Sequence, residues 1–188
     1  MDLKDRVSLV TGSTSGLGFF VASRLSELGS EVIICGRDTV DGENSESVES
    51  FFSKKVSRLD ILVNNIGGVA KFGKFEDLNE DNWFKTFNLN VMTAVRFTKW
   101  ALPFLKKSGR GRIITMASLP AVQPGKFNPD YSSCKAALVN LSKCWANEYA
   151  QFGILSNVIC PSTITGGGWQ RNIEDRAKKE GVSSEEAE

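Results

Sequence analysis

The sequence predicts a single α/β domain built on a doubly wound parallel sheet. Three observations carry that expectation: short β-branched runs alternate with helical patterns, a glycine-rich turn joins the first run to the first helix, and 188 residues suit one core. Residues 7–10 (VSLV) read as the first strand, and Leu17, Phe20, Val21, Ala22, Leu25 and Leu28 then recur at helical spacing up to Gly29. Residues 32–35 (VIIC) read as a second strand, stopped by Gly36. A polar link over 38–47 leads to a modest helix over 48–56 and a strand over 61–63. Residues 81–107 carry Phe84, Phe87, Val91, Val95 and Leu102 on a helical repeat, with Pro103 expected to bend or break its last part. A strand over 112–116, a proline-containing loop, a helix over 131–152 and a strand over 155–160 follow. A Gly166-Gly167-Gly168 hinge then opens a mostly charged segment.

Composition narrows the chemistry. The 41% hydrophobic content and 17 glycines suit a folded protein, and 23 basic against 22 acidic residues supply no global field for nucleic acid or an acidic membrane. With no histidine, triads, Cys-His dyads and His-ligated zinc are excluded, and no metal site is expected. Cys35, Cys134, Cys144 and Cys160 form no C-x-x-C pair and read as reduced, mostly buried thiols. No apolar run is long enough to span a membrane, and MDLKDR lacks a signal-peptide core, so a cytoplasmic location is expected.

The turn Thr11-Gly12-Ser13-Thr14-Ser15-Gly16-Leu17-Gly18 stands where a parallel sheet offers backbone N–H groups and a helix N-terminus to a pyrophosphate. Gly12 suits the tight turn, Gly16 a close approach and Gly18 helix packing. The alternative is a loop that merely needs positive φ. No Lys follows the last glycine, which argues against a triphosphate site and leaves a dinucleotide as the better fit. The second strand ends in Cys35-Gly36-Arg37-Asp38. Gly36 cannot clamp a ribose, whereas Arg37 can grip a 2′-phosphate, so NADP(H) is favoured over NAD(H), with Asp38 left as a possible ribose partner.

Tyr131 and Lys135 sit four residues apart near a helix start and project from one face. Bringing a phenol from a pKa of ~10 to ~7 takes about 4 kcal/mol. An ammonium ~5 Å away at an effective dielectric of ~20 supplies about 3 kcal/mol of that. In a chain without histidine, Tyr131 is the natural general acid/base. Ser118 and Asn64-Asn65 each follow a strand at its carboxyl end, where α/β sheets place ligands, although turns or caps explain them equally well singly. Asn90, an uncharged amide within an apolar helical pattern, asks for a buried partner.

Together these residues resemble the short-chain dehydrogenase/reductase family. The matching features are Thr11-Gly12-x-x-x-Gly16-x-Gly18, Asn64-Asn65-Ile66-Gly67 in place of the usual N-N-A-G, Asn90, Ser118, and Tyr131-x-x-x-Lys135. The resemblance spans residues 5–165 and is nearest the 3-oxoacyl-carrier-protein reductase type. It implies a single-domain Rossmann fold and a catalytic set of Asn90, Ser118, Tyr131 and Lys135. Tyr131 exchanges a proton with the substrate oxygen, Ser118 hydrogen-bonds that oxygen, Lys135 lowers the Tyr131 pKa and binds the nicotinamide ribose, and Asn90 anchors a water. Coenzyme contacts are implied at Gly12, Ser13, Ser15, Gly16, Leu17, Gly18, Arg37, Asn64, Tyr131, Lys135, Pro161 and Thr163.

Two departures from the family pattern follow. The polar link over 38–47 stands where another helix and strand usually lie, and the sequence reaches Glu188 before the family's last helix and strand. One internal βα unit and the C-terminal strand are therefore expected to be lacking, either through loss of an edge unit, which opens the adenine pocket, or because the sequence skips a piece. Residues 1–165 are expected to form the dinucleotide-binding and catalytic part, and 166–188 a substrate lid carrying Trp169, with a frayed terminus as the alternative. The helix over 131–152 has apolar residues on more than one face, which points to a homotetramer or homodimer. The expected activity is hydride transfer between NAD(P)(H) and a carbonyl or secondary alcohol of a small molecule. The rival readings are a non-catalytic NAD(P)-binding sensor or scaffold and, less well supported, a sugar-nucleotide epimerase.

Overall fold

The computed structural model describes residues 3–162, 164 and 167–187. Its strands are β1 (Val7–Thr11), β2 (Glu31–Cys35), β3 (Ile61–Asn64), β4 (Arg112–Met116) and β5 (Leu155–Ile159). Its helices are α1 (Gly16–Glu27), α2 (Ser45–Lys55), α3 (Glu80–Phe87), α4 (Thr93–Ser108), α5 (Pro129–Tyr149), α6 (Gly167–Glu180) and the short α7 (Ser184–Ala187). The strands form one parallel sheet in the order β2-β1-β3-β4-β5. The chain leaves β1 for β2 on one side and returns to β3 on the other, so the sheet has a switch point at the carboxyl ends of β1 and β3. Open α/β sheets bind their ligands at such crevices. The chain thus forms a single Rossmann-type domain.

The two faces of the sheet are covered unequally. On one, Phe51 and Phe52 of α2, Phe97, Ala101 and Leu105 of α4, and Leu138 and Trp145 of α5 pack against Leu9, Leu62 and Ile113. Phe52 meets both Phe51 and Phe97 with ring centroids about 6 Å apart, an arrangement that adds to the area buried. On the other face a smaller cluster around Val10, Ala22, Ile61, Val63 and Met116 lies under α1. The edge strands keep apolar side chains in water, among them Ile34 of β2 and Leu155 and Ile159 of β5. Among the described residues no strand follows β5.

The polar link after β2 holds no further strand, as expected, but it is packed rather than loose. Thr39 caps the turn by accepting from the Gly36 N–H at 3.0 Å, and Val40 enters the main core. The Gly42 carbonyl accepts from Thr93 Oγ1 at 3.3 Å, and a Cβ on Gly42 would lie 3.0 Å from Thr93 Cγ2. Asn44 then caps α2 by accepting from the Ser47 N–H at 3.0 Å, so that helix starts before its first apolar residue.

Residues 81–107 are not one helix. Asn79 and Asn82 cap each other's backbone at the start of α3, and a π-helical segment over Asn88–Met92 then separates α3 from α4. Pro103 neither breaks nor ends α4, which runs to Ser108 and stops at Gly109 in the left-handed conformation. One hydrogen bond is lost at the proline, while Ala101 and Leu105 beside it are fully buried and hold the helix in place. Of the four free thiols only Cys35 and Cys134 are buried; Cys160 is partly buried and Cys144 exposed. Among the described residues no helix is long and apolar enough to cross a membrane, and no group of three or more Cys, Asp or Glu side chains is arranged to hold a metal ion.

Candidate active site

The glycine turn closes the carboxyl end of β1. Gly12 and Gly16 have φ of 68° and 56°, where a side chain is disfavoured. A Cβ on Gly18 would lie 2.2 Å from the Gly12 carbonyl oxygen, so the third glycine lets α1 start against the turn. A Cβ on Gly16, by contrast, would meet nothing within 4 Å. Ser15, at the N-cap of α1, makes no side-chain capping bond, and the first turn of α1 carries no acidic residue. Its first-turn N–H groups thus lack a side-chain cap, and a helix start of that kind suits an anion. These residues fit a coenzyme pyrophosphate.

At two positions nearby the structure commits the side chain to the fold. Ser13 is buried: its hydroxyl accepts from the Cys35 N–H at 2.8 Å and its own N–H donates to the Cys35 carbonyl at 2.9 Å. Its side chain therefore ties the turn to β2 and is not directed to a ligand. Asn64 is buried too, donating from Nδ2 to Thr98 Oγ1 at 2.9 Å, so only its backbone is left for a coenzyme. The side chain that braces the glycine turn is Asn65, whose Nδ2 donates to the Thr11 carbonyl at 2.9 Å. Thr11 Oγ1 in turn accepts from the N–H groups of Asn65 and Ile66 at 2.9 and 3.1 Å. Only the doubled asparagine hinted at this, and nothing in the sequence told which of the two faces the turn. At the end of β2, Gly36 packs under Thr14 and Asp38, whose side-chain atoms lie 2.4 to 2.7 Å from where a Cβ would sit. Arg37 is exposed and engaged by no other described residue.

The second half of the site lies at the carboxyl ends of β3 and β4. Asn128, at φ 52°, accepts from the Gly73 N–H through Oδ1 at 3.0 Å, donates its N–H to the Gly73 carbonyl at 2.7 Å, and starts α5. Tyr131 and Lys135 follow one turn apart. Lys135 is 3% exposed, its ammonium donates to the Met116 carbonyl at 2.8 Å, and it stands 5.4 Å from the centre of the Tyr131 ring. Ser118, extended at the start of a 3-10 turn, makes no side-chain cap to that turn, and its hydroxyl lies near the Tyr131 phenol. Asn90, in the π-helical segment, is fully buried and gives Nδ2 to the carbonyls of Thr86 and Gly68, both at 2.8 Å, while Oδ1 accepts from the Gly68 N–H at 3.1 Å. Such π segments recur at functional sites because they turn a side chain out of helical register. A Cβ on Gly67 would lie 2.6 Å from Asn90 Oδ1 and 2.9 Å from Lys135 Nζ, so this glycine lets the two polar groups approach one spot. The structure thus brings Asn90, Ser118, Tyr131 and Lys135 together.

The electrostatics differ from the sequence expectation. Burial pushes the Tyr131 phenol above its ordinary pKa, and the nearby Ser118 hydroxyl pulls the other way without prevailing. Burial also pushes the Lys135 ammonium down to about 8, although the Cys134 and Cys160 thiols oppose this. Desolvation thus dominates at both groups. Sequence reasoning also missed Asp130, a fully buried carboxylate that accepts from Thr86 Oγ1 at 2.5 Å and so ties α3 to the residue before Tyr131. An acid in a first helical turn ordinarily signals only a helix dipole, so nothing singled it out. Pro161 is partly buried, its carbonyl accepting from the Leu119 N–H at 2.8 Å; Thr163 lies outside the described residues.

Comparison with known proteins bears on this geometry. The family model for short chain dehydrogenase matches residues 38–177. The chain belongs to the short-chain dehydrogenase family. The D-beta-hydroxybutyrate dehydrogenase of Cupriavidus necator is 30% identical over 209 residues, covering 98% of this chain and 81% of that protein. The 2-dehydro-3-deoxy-D-gluconate 5-dehydrogenase of Bacillus subtilis is 31% identical, covering 96% and 79%. Among solved structures, the 3-ketoacyl-(acyl-carrier-protein) reductase from Brucella melitensis complexed with NADH superposes with a TM-score of 0.80 at 26% identity, over 86% of this chain and 77% of that one. As a short-chain dehydrogenase the protein is an NAD(P)-dependent oxidoreductase acting on CH-OH groups. The 209 aligned residues exceed the 188 of this chain, so the family relative carries residues that this chain skips.

Proposed function

We propose that the protein reduces a small-molecule carbonyl with NADP(H), Tyr131 donating the proton. The observation that carries this reading is the convergence of Tyr131, Ser118, Lys135 and Asn90 at the carboxyl end of the sheet. Ser118 and Tyr131 hold the substrate oxygen, and the nicotinamide, when bound, supplies hydride at its C4. As the carbonyl carbon gains that hydride, its oxygen takes the phenolic proton and an alcohol results. The raised pKa keeps Tyr131 protonated at neutral pH, which makes it an acid before it is a base and favours reduction. The backbones of Gly12, Ser15, Gly16, Leu17 and Gly18 would hold the pyrophosphate, Lys135 the nicotinamide ribose, and Asn90 a water leading toward solvent. A screen of ketones and oxo acids with NADPH, followed by nicotinamide absorbance, tests the reading; coenzyme binding with no turnover across the panel would favour the non-catalytic sensor.

Arg37 selects the phosphorylated coenzyme in this reading. It is exposed, uncommitted and placed after β2, while Gly36 beside it offers no acid. Arg37→Ala should lower kcat/KM with NADPH by about tenfold, the worth of one charge-assisted hydrogen bond, and leave the value with NADH nearly unchanged. An equal loss with both coenzymes would refute the assignment.

Residues 1–165 act as the coenzyme-binding and catalytic part and 166–188 as a substrate lid. The segment is anchored by ion pairs of Lys179 with Asp77 and of Lys126 with Glu180, and by burial of Ile173 and Ala177. Self-association is part of the same reading: Phe84 on α3 is 70% exposed, Phe87 and Cys144 are exposed as well, and α5 carries apolar residues on several faces. Light scattering at micromolar concentration should give a dimer or tetramer; a monomer there rejects it. A cytoplasmic location is consistent with this chemistry.

A further inference from the structure

The amino ends of the strands carry a second cluster of charge, about 15 Å from the glycine turn for five-residue strands. Asp60, 1% exposed, is its hub. Its carboxylate accepts from the Val7 N–H at 3.0 Å, from Ser108 Oγ at 2.5 Å and from Arg110 Nε at 3.3 Å, and it pairs with Arg58 at 3.1 Å. The Arg58 and Arg110 guanidiniums also donate to the Asp5 carbonyl, and Arg6 stands 3.8 Å from the same carboxylate. One buried anion therefore gathers three guanidiniums. Desolvation and the mutual repulsion of Arg110, Arg112 and Arg58 hold the Arg6 pKa below its usual value, with Asp60 opposing. The cluster is under-compensated for its positive charge.

A cavity of about 310 Å³ opens beside it, lined by Ser57, Arg58, Asp60, Phe104, Lys107, Ser108 and Arg110. Three cations against one carboxylate leave its wall at net +2. Asp60 is saturated with donors and sits at the back, so it fixes the guanidiniums without repelling a visitor strongly. Lys107 is exposed and makes no hydrogen bond or ion pair among the described residues, and the Ser57 hydroxyl adds a donor, while that of Ser108 is committed to Asp60. Phe104 supplies an apolar edge.

We propose that this cavity binds a phosphate dianion, either free or as a phosphomonoester, at a site separate from the catalytic cleft. The charge of the wall matches a dianion, the paired guanidiniums suit its oxygens, and the volume exceeds what phosphate alone needs. The location at the opposite end of the sheet makes it independent of the coenzyme reading.

Calorimetric titration of the full chain with inorganic phosphate tests the proposal. Binding should weaken about tenfold or more in Lys107→Glu and persist in Lys107→Arg. Lys107 is an exposed residue in the last turn of α4 that makes no hydrogen bond or ion pair with another described residue, so both variants should fold. Phenyl phosphate binding more tightly than inorganic phosphate identifies a phosphomonoester as the ligand, and equal affinity identifies free phosphate. An unchanged affinity in Lys107→Glu would place the anion elsewhere and overturn the proposal, as would no phosphate binding at millimolar concentration.

Discussion

Replacing Tyr131 by Phe should reduce carbonyl turnover by about a thousandfold, within the range of a lost general acid. The substitution removes one oxygen from a ring that is half-buried in α5 and keeps the ring itself, so thermal stability should change little. Ser118 beside it is partly open to water, so no buried donor is stranded. Coenzyme affinity, read by quenching of protein fluorescence, should stay within a few-fold of the parent, because the glycine turn and Lys135 are untouched. Loss of turnover with retained binding is the signature of a group that acts on the reacting oxygen. Turnover surviving in Tyr131→Phe would remove the phenol from the chemistry, and loss of coenzyme affinity with it would assign the residue to binding.

That experiment bears on residues that the sequence picked out and the fold brings together, while their wiring was not legible in the sequence. Strand-helix alternation with Gly12, Gly16 and Gly18 announced the sheet and its crevice, because those patterns report local backbone needs. Asn90 was flagged by a polar amide amid apolar spacing, and it is indeed buried with three hydrogen bonds. What spacing cannot report is direction across space. Whether Asn64 or Asn65 faces the turn depends on the pleat at the end of β3, and Ser13 is claimed by the backbone of Cys35 from a strand 22 residues away. The helix over 81–107 looked continuous because a π segment leaves the apolar repeat almost unchanged. The link after β2 looked like a gap, yet Val40 and Gly42 knit it into the core through contacts with another element altogether. The Tyr131 and Lys135 pair was read from charge separation alone. The missing quantity was burial, which only the packed protein supplies and which reverses the direction for Tyr131.

At Lys135 that burial has a measurable consequence. A buried ammonium with its pKa lowered to about 8 is a cost in the folded protein at neutral pH. Below pH 8 both the folded and unfolded states hold the proton. Between about pH 8 and the unfolded value of 10.5 the unfolded chain binds a proton that the folded one lacks, so this group's contribution to stability rises with pH across that window. The full rise is about 3 kcal/mol by order of magnitude. Urea denaturation of the coenzyme-free protein should show it as a difference between the parent and Lys135→Met, in which the slope is absent. Catalysis should run the opposite way. If the charged form holds the ribose and steadies the phenolate left after proton transfer, kcat/KM for carbonyl reduction falls as pH rises through about 8, and Lys135→Met loses about a hundredfold at pH 7. A parent whose reductase activity stays flat to pH 10 while the stability difference appears would make Lys135 a buried strut whose charge the reaction does not use. The opposed signs of the two profiles would follow from one arrangement: a cation retained in the interior that destabilises the fold and that the proposed chemistry uses.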